Sequence, residues 1–166
     1  HQALAAIKHE PLPEKPALLL GHSMGAFVAR HVAAMAEERV PRLIMMGAGS
    51  STKTAGMREL RAAVDALTDP VDPDFVREFQ ESTVLQPAQS SFMAATIANS
   101  LRMPAAIWKA VLAGLILDEP PKPRLRCRTL VLGGRQDKIF PPTEQMLLAR
   151  QCPRGELELV DGVGHS

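Results

Sequence analysis

ALLLGHSMGAFVAR, residues 17–30, is the stretch on which the reading of this chain turns. Four apolar residues, Ala17, Leu18, Leu19 and Leu20, suit a buried strand. Phe27, Val28, His31, Val32 and Met35 then recur at helical spacing, so the segment reads strand, sharp turn, helix. Between the two stands Gly21-His22-Ser23-Met24-Gly25, a G-x-S-x-G pattern with Ser23 at the turn. A turn this tight strains the serine backbone and brings strand and helix close together, and Gly21 and Gly25 are expected to supply the room. Chance would place the pattern in roughly one chain in twenty of this length. A strand before it and a helix after it make the coincidence rarer.

The composition bounds the answer. A chain of 166 residues is about one domain, long enough to bury a substantial core. With 46% hydrophobic and 22% charged residues it is ordinary globular material. A net charge of +1 gives no field that would draw nucleic acid, a membrane or a polyanion. The basic run Lys122, Arg124, Arg126, Arg128 is interleaved with prolines and apolar residues and reads as a solvated linker leading into a strand, with nucleic-acid binding a distant second. Cys127 and Cys152 have no metal-ligand spacing and no disulfide framework, so they read as two reduced thiols. One is expected to begin a strand and the other to end the following helix, which puts both at one end of the sheet and leaves a disulfide open. No apolar run approaches the roughly 20 residues of a membrane span, and no signal-peptide pattern opens the chain.

Along the chain, residues 2–7 look like the tail of an amphipathic helix, broken by Pro11, Pro13 and Pro16. Residues 42–48 form a second continuous apolar strand, of the kind that helices cover on both faces, and residues 47–51 leave the sheet. Residues 52–119 hold four helical patterns and no convincing strand. Met57, Leu60, Val64 and Leu67 mark the first. Asp72-Pro73-Asp74 caps a second that carries Phe75, Val76 and Phe79. Phe92, Met93, Ile97 and Leu101 mark a third, and Pro104 opens a fourth with Ile107, Trp108, Val111, Leu112 and Leu115. Each stripe is one-sided, so each helix must bury a face. The proline-rich run 119–123 returns to a third strand at 129–134. Pro141 and Pro142 then start a helix through Met146, Leu147 and Arg150, and residues 156–160 alternate as a half-exposed strand does.

Ser23, Asp137 and His165 each fall directly after a predicted strand. In an α/β sheet those strand ends lie along one edge, where ligands bind. A serine hydroxyl is a weak nucleophile that needs a base within hydrogen-bond reach, and the base needs an orienting anion. His165 would take the Ser23 proton and return it to the leaving group, with Asp137 holding the imidazole tautomer. Asp161 is nearer to His165 in sequence but stands at a strand end and reads as fixing the loop. His22, at the variable position beside Ser23, and His31, two turns along the helix, read as structural, while His1 and His9 lie in a poorly defined segment.

With these landmarks in this order the chain resembles the α/β-hydrolase family, in its serine-nucleophile branch with a helical cap. The resemblance implies an α/β fold, a partial sheet of about four mainly parallel strands with an all-helical insertion. Residues 1–51 and 120–166 would be two parts of the core and 52–119 the cap. The match begins at the family's nucleophile strand, so the chain looks like the C-terminal half plus cap of a longer enzyme. It implies acyl transfer to Ser23 and then to water, with Gly21, His22 and Gly25 completing the elbow and no metal or organic cofactor. The Met24 N–H would be one oxyanion donor, while the second normally comes from a loop after an earlier strand. Losing one donor costs roughly a hundred- to a thousandfold in rate, so the piece alone would be slow or inactive. Ala26 stands where relatives often carry glycine. Serine at the nucleophile position argues against the dehalogenase and epoxide-hydrolase branches. The implied substrate is a small apolar molecule or ester, hydrolysis of carboxylic esters coming first. Cleavage of a carbon-carbon bond in a diketone-like acid is the nearest rival, followed by a ligand-binding signalling protein on the same fold. Trp108 and Ile139 are the candidate pocket residues, although Trp108, Phe79, Met93 and Met103 also suit plain cap core. A cytoplasmic protein without nucleic-acid partner or membrane span is expected, and the oligomeric state is left open.

Overall fold

In the computed structural model, which describes residues 16–117 and 125–166, the elements follow one another as β1 (Leu18–His22), α1 (Met24–Met35), β2 (Arg42–Met46), α2 (Ala55–Asp65), α3 (Pro73–Thr83), α4 (Ser90–Leu101), α5 (Ala105–Leu117), β3 (Arg128–Gly134), α6 (Pro142–Gln151) and β4 (Gly155–Val160). The four strands form one sheet in the order β1-β2-β3-β4. β1 pairs with β2 and β2 with β3, both parallel, with Leu20 opposite Ile44 and Ile44 opposite Leu130. This is an α/β fold. β2 stops at Met46 rather than running to residue 48, because Gly47 turns the chain with φ of 52°. The helix expected over 2–7 and the proline-rich run 119–123 lie outside the described residues.

The described residues fall into two compact units, 16–50, 125–132 and 144–158 in one, and 51–117, 133–143 and 159–166 in the other. In the first, side chains alternate along the strands. Leu43, Met45, Thr129 and Val131 are buried on one side, where they and Ala26, Ala29 and Ala33 of α1 enter the core. The small α1 residues let the helix backbone lie close to the sheet, and each fully buried Leu, Val or Met side chain contributes about 1.5–3 kcal/mol. Among the described strands β1 stands at one end of the order, and its Leu18 and Leu20 are exposed. Cys127 and Cys152 are both free and both buried in this core. Burial pushes the Cys152 thiol above its usual range. Two members of the basic run form exposed ion pairs, Arg126 with Glu37 at 3.6 Å and Arg128 with Glu156 at 3.2 Å.

The second unit contains the four expected helices. Thr54 caps α2, its Oγ1 accepting from the Met57 N–H at 3.1 Å. Asp72 caps α3, accepting from the Asp74 N–H at 2.9 Å, with Pro73 as the first helical residue. Met57, Val64, Leu67, Val71, Val76 and Leu112 are buried. α4 departs from expectation. It packs against α3 and the Gln80 amide donates to Ser100 Oγ at 3.0 Å, yet none of its residues is buried and Phe92 is 62% exposed. Its apolar stripe gains only half-buried Met93 and Ile97. No helix among the described residues is long and apolar enough to cross a membrane.

Candidate active site

Ser23 is the single residue between β1 and α1, and its backbone takes φ 51° and ψ −122°. It is the one positive-φ residue other than glycine among those described. Such a conformation costs about 1–3 kcal/mol and persists only where the surroundings impose it. They do so here. The Ser23 N–H donates to the Met46 carbonyl at 2.9 Å, and its own carbonyl accepts from the Ala26 N–H at 2.9 Å. A Cβ on Gly21 would stand 2.3 Å from the Gly25 carbonyl oxygen and 2.7 Å from the Ala26 Cα. β1 and α1 therefore meet backbone to backbone. The expectation for Gly25 is corrected, since a Cβ there meets no described atom within 4 Å. The room is supplied by Gly21 alone, because Gly25 offers its main chain, not its missing side chain, to the contact.

A serine in front of a helix usually accepts a hydrogen bond from the first turn; the Ser23 side chain makes no such cap. Met24 begins α1, where N–H groups have no intrahelical partner, and the residue is 44% exposed. His22 is exposed. His31 is bound to its own helix, with Nδ1 2.8 Å from the Phe27 carbonyl oxygen.

In the second unit Asp137 and His165 come together. Their side chains are 0% and 5% exposed, and Asp137 Oδ2 lies 3.0 Å from His165 Nδ1. The other carboxylate oxygen accepts from the Ile139 and Phe140 N–H groups at 2.8 and 2.9 Å. A buried carboxylate with both oxygens bonded is fixed in orientation as well as satisfied. Asp161 turns away to an exposed ion pair with Arg135 at 2.6 Å. The histidine loop is anchored at its main chain, the N–H groups of His165 and Ser166 both donating to the Thr83 carbonyl, at 2.8 and 2.9 Å. The Phe140 ring lies beside the imidazole, centroids 5.9 Å apart.

Three anchors escape a reading of the sequence. Thr83 ends α3, Thr54 caps α2 and also donates to the Ile139 carbonyl at 2.7 Å, and Gly134 makes room for the histidine loop, since a Cβ there would lie 2.1 Å from the Val163 carbonyl oxygen. The Gly133-Gly134 pair at a strand end is the one local signal among them. Ile139 lines a cavity of about 340 Å³ with Leu60, Phe75, Phe79, Ser82 and Lys138. Trp108 stands behind that wall, edge-on to Phe75 and Phe79 at 5.8 and 5.5 Å. Among the described residues no cluster of three His, Cys, Asp or Glu side chains is placed to hold a metal.

Comparison with known proteins bears on the family and the fold. A family model described as "Serine aminopeptidase, S33" (Hydrolase_4) matches residues 1–166. An esterase from Exiguobacterium antarcticum superposes with a TM-score of 0.82 at 20% identity, over 99% of this chain and 65% of that one. The 2-hydroxy-6-oxo-6-phenylhexa-2,4-dienoate hydrolase from Rhodococcus sp. strain RHA1 superposes with a TM-score of 0.77 at 24% identity, over 99% of this chain and 62% of that one. A meta-cleavage product hydrolase from Pseudomonas fluorescens IP01 gives 0.66 at 18% identity, over 98% and 61%. At these identities the likeness is one of fold, and the chain spans less than two thirds of each structure's length. From the family match over its whole length, the chain belongs to the serine aminopeptidase, S33 family of α/β-hydrolases.

Proposed function

We propose that the chain carries the acyl-transfer machinery of a serine hydrolase, with Ser23 as nucleophile, His165 as general base and Asp137 as the group that orients it. The buried Asp137–His165 hydrogen bond carries this reading. With Nδ1 held by the carboxylate, proton transfer falls to Nε2, and the anion stabilises the imidazolium as it forms. The strained Ser23 turn adds support, because such strain collects at functional sites. Attack by Ser23 Oγ on a carbonyl carbon gives a tetrahedral oxyanion that the Met24 N–H stabilises. His165 then protonates the departing alkoxide, and water repeats the sequence on the acyl-enzyme. The favoured substrates are carboxylic esters with a small or medium apolar acyl group, and Ile139 is the pocket residue, with Trp108 supporting it from behind. Carbon-carbon bond hydrolysis is the second reading, favoured by the likeness to a dienoate hydrolase.

Treatment with a fluorophosphonate probe followed by intact-mass measurement tests the assignment. One adduct per chain is expected, lost in Ser23→Ala and in His165→Ala. The untreated chain should turn over 4-nitrophenyl butyrate faster than a 2-hydroxy-6-oxo-dienoate, the reverse order favouring the second reading. No adduct on a folded polypeptide extended to the full length of its structural relatives would sink the serine-hydrolase reading.

A further inference from the structure

The cavity of about 340 Å³ is bordered by α2, α3 and the loop that follows Asp137. Its size is at the lower end of the range for small-molecule sites, too small for a peptide segment. Phe75 and Phe79 stack with centroids 6.3 Å apart and planes 9° from parallel, and with Leu60 and Ile139 they make an apolar wall. The charges that border it are Glu59, Glu78 and Lys138, all exposed. Two carboxylates against one ammonium disfavour an anion such as a fatty acid.

Each border segment is next in sequence to an anchor of the Asp137–His165 pair. Ser82 precedes Thr83, whose carbonyl holds the His165 and Ser166 N–H groups. Ile139 donates its N–H to Asp137 and accepts from Thr54 Oγ1. Gly56 lies two residues past Thr54, and a Cβ on it would be 2.5 Å from the Lys138 carbonyl oxygen, so α2 and the Asp137 loop touch through their backbones. We infer that this cavity binds a neutral aryl or branched alkyl group, and that filling it acts on the Asp137–His165 pair through Thr54 and Thr83. The inference deepens the proposed function: it takes this cavity, which Ile139 lines, as the pocket for the substrate's apolar group, and it calls the Asp137–His165 pair catalytic.

Trp108 is the sole tryptophan and the chain has no tyrosine, so indole emission reports on this wall. The probe is 4-bromobenzyl alcohol, a neutral aryl molecule whose bromine quenches indole emission. Saturable quenching is expected, with the His165 ring resonances in NMR moving along the same binding curve. 4-Bromobenzoate, nearly the same shape with a negative charge, is expected to bind at least about tenfold more weakly, as is the alcohol to Ala63→Phe, which fills the cavity. Thr54→Val should keep the quenching and lose most of the His165 shift, and Thr54→Ser should retain both. Quenching that rises linearly without saturation overturns the site. Equal binding of the two probes to the unaltered chain overturns the neutral-ligand assignment without relying on any variant. Saturable quenching with immobile His165 resonances overturns the coupling. None of these readouts requires turnover, so they stand whether or not Ser23 takes the fluorophosphonate.

Discussion

At the Ser23 turn the backbone itself is bent, to φ 51° and ψ −122°, and packing of Gly21 on Gly25 and Ala26 keeps it there. At Asp137 and His165 no positive φ occurs; the two side chains are held by three hydrogen bonds, to Ile139, to Phe140 and to each other, and the main chain of the histidine loop by two more to Thr83. The difference lies in what each region can tolerate. A site held by close backbone contact resists changes of polarity and fails when an atom is added. A site held by polar groups in a buried setting accepts small changes of volume and fails when one partner is lost.

The largest effect expected from this contrast is at the polar site. Asp137→Asn keeps the shape but offers the imidazole an amide in place of an anion, and should lower kcat for an ester by about 10⁴-fold. A variant with near-normal turnover would mean that the pair is structural. Next come the two glycines of the turn. Gly21→Ala should cost about 2–3 kcal/mol by overpacking, roughly 5–10 °C in Tm, whereas Gly25→Ala should stay within about 0.5 kcal/mol. Equal melting shifts for the two would show that the glycine contacts are not what bends the turn. The smallest effect concerns the serine itself. Glycine adopts φ near 50° without strain, so Ser23→Gly should be more stable than Ser23→Ala by about 1 kcal/mol in chemical denaturation. If the alanine variant were the more stable, the strain would lie elsewhere.

Much of this was legible in the residues because the signals are local. The strand, turn and helix around Ser23 follow from the switch of apolar spacing at Gly21. Asp137 lies in the loop after the third strand, whereas Asp161 stands at the end of the last strand, reads as fixing its loop, and is occupied there by Arg135. The roles of Thr54 and Thr83 were hidden because their partners, Ile139 and His165, are more than 80 residues away. Periodicity also gives a face without telling whether anything covers it, as α4 demonstrates with Phe92 outside. α6 inverts the usual expectation. Gln145 is fully buried while Met146 and Leu147 are exposed, because Leu148 and Ala149, three and four residues on, define the covered side.

Met24 gives the proposed oxyanion site its main-chain N–H, while the residue as a whole remains 44% exposed. Peroxide converts a methionine thioether to a polar, chiral sulfoxide. That change leaves the donor in place and alters only the surface next to Ser23. Under the proposed function, oxidation of Met24 would therefore shift substrate preference before it abolished catalysis, and methionine sulfoxide reductases would reverse it.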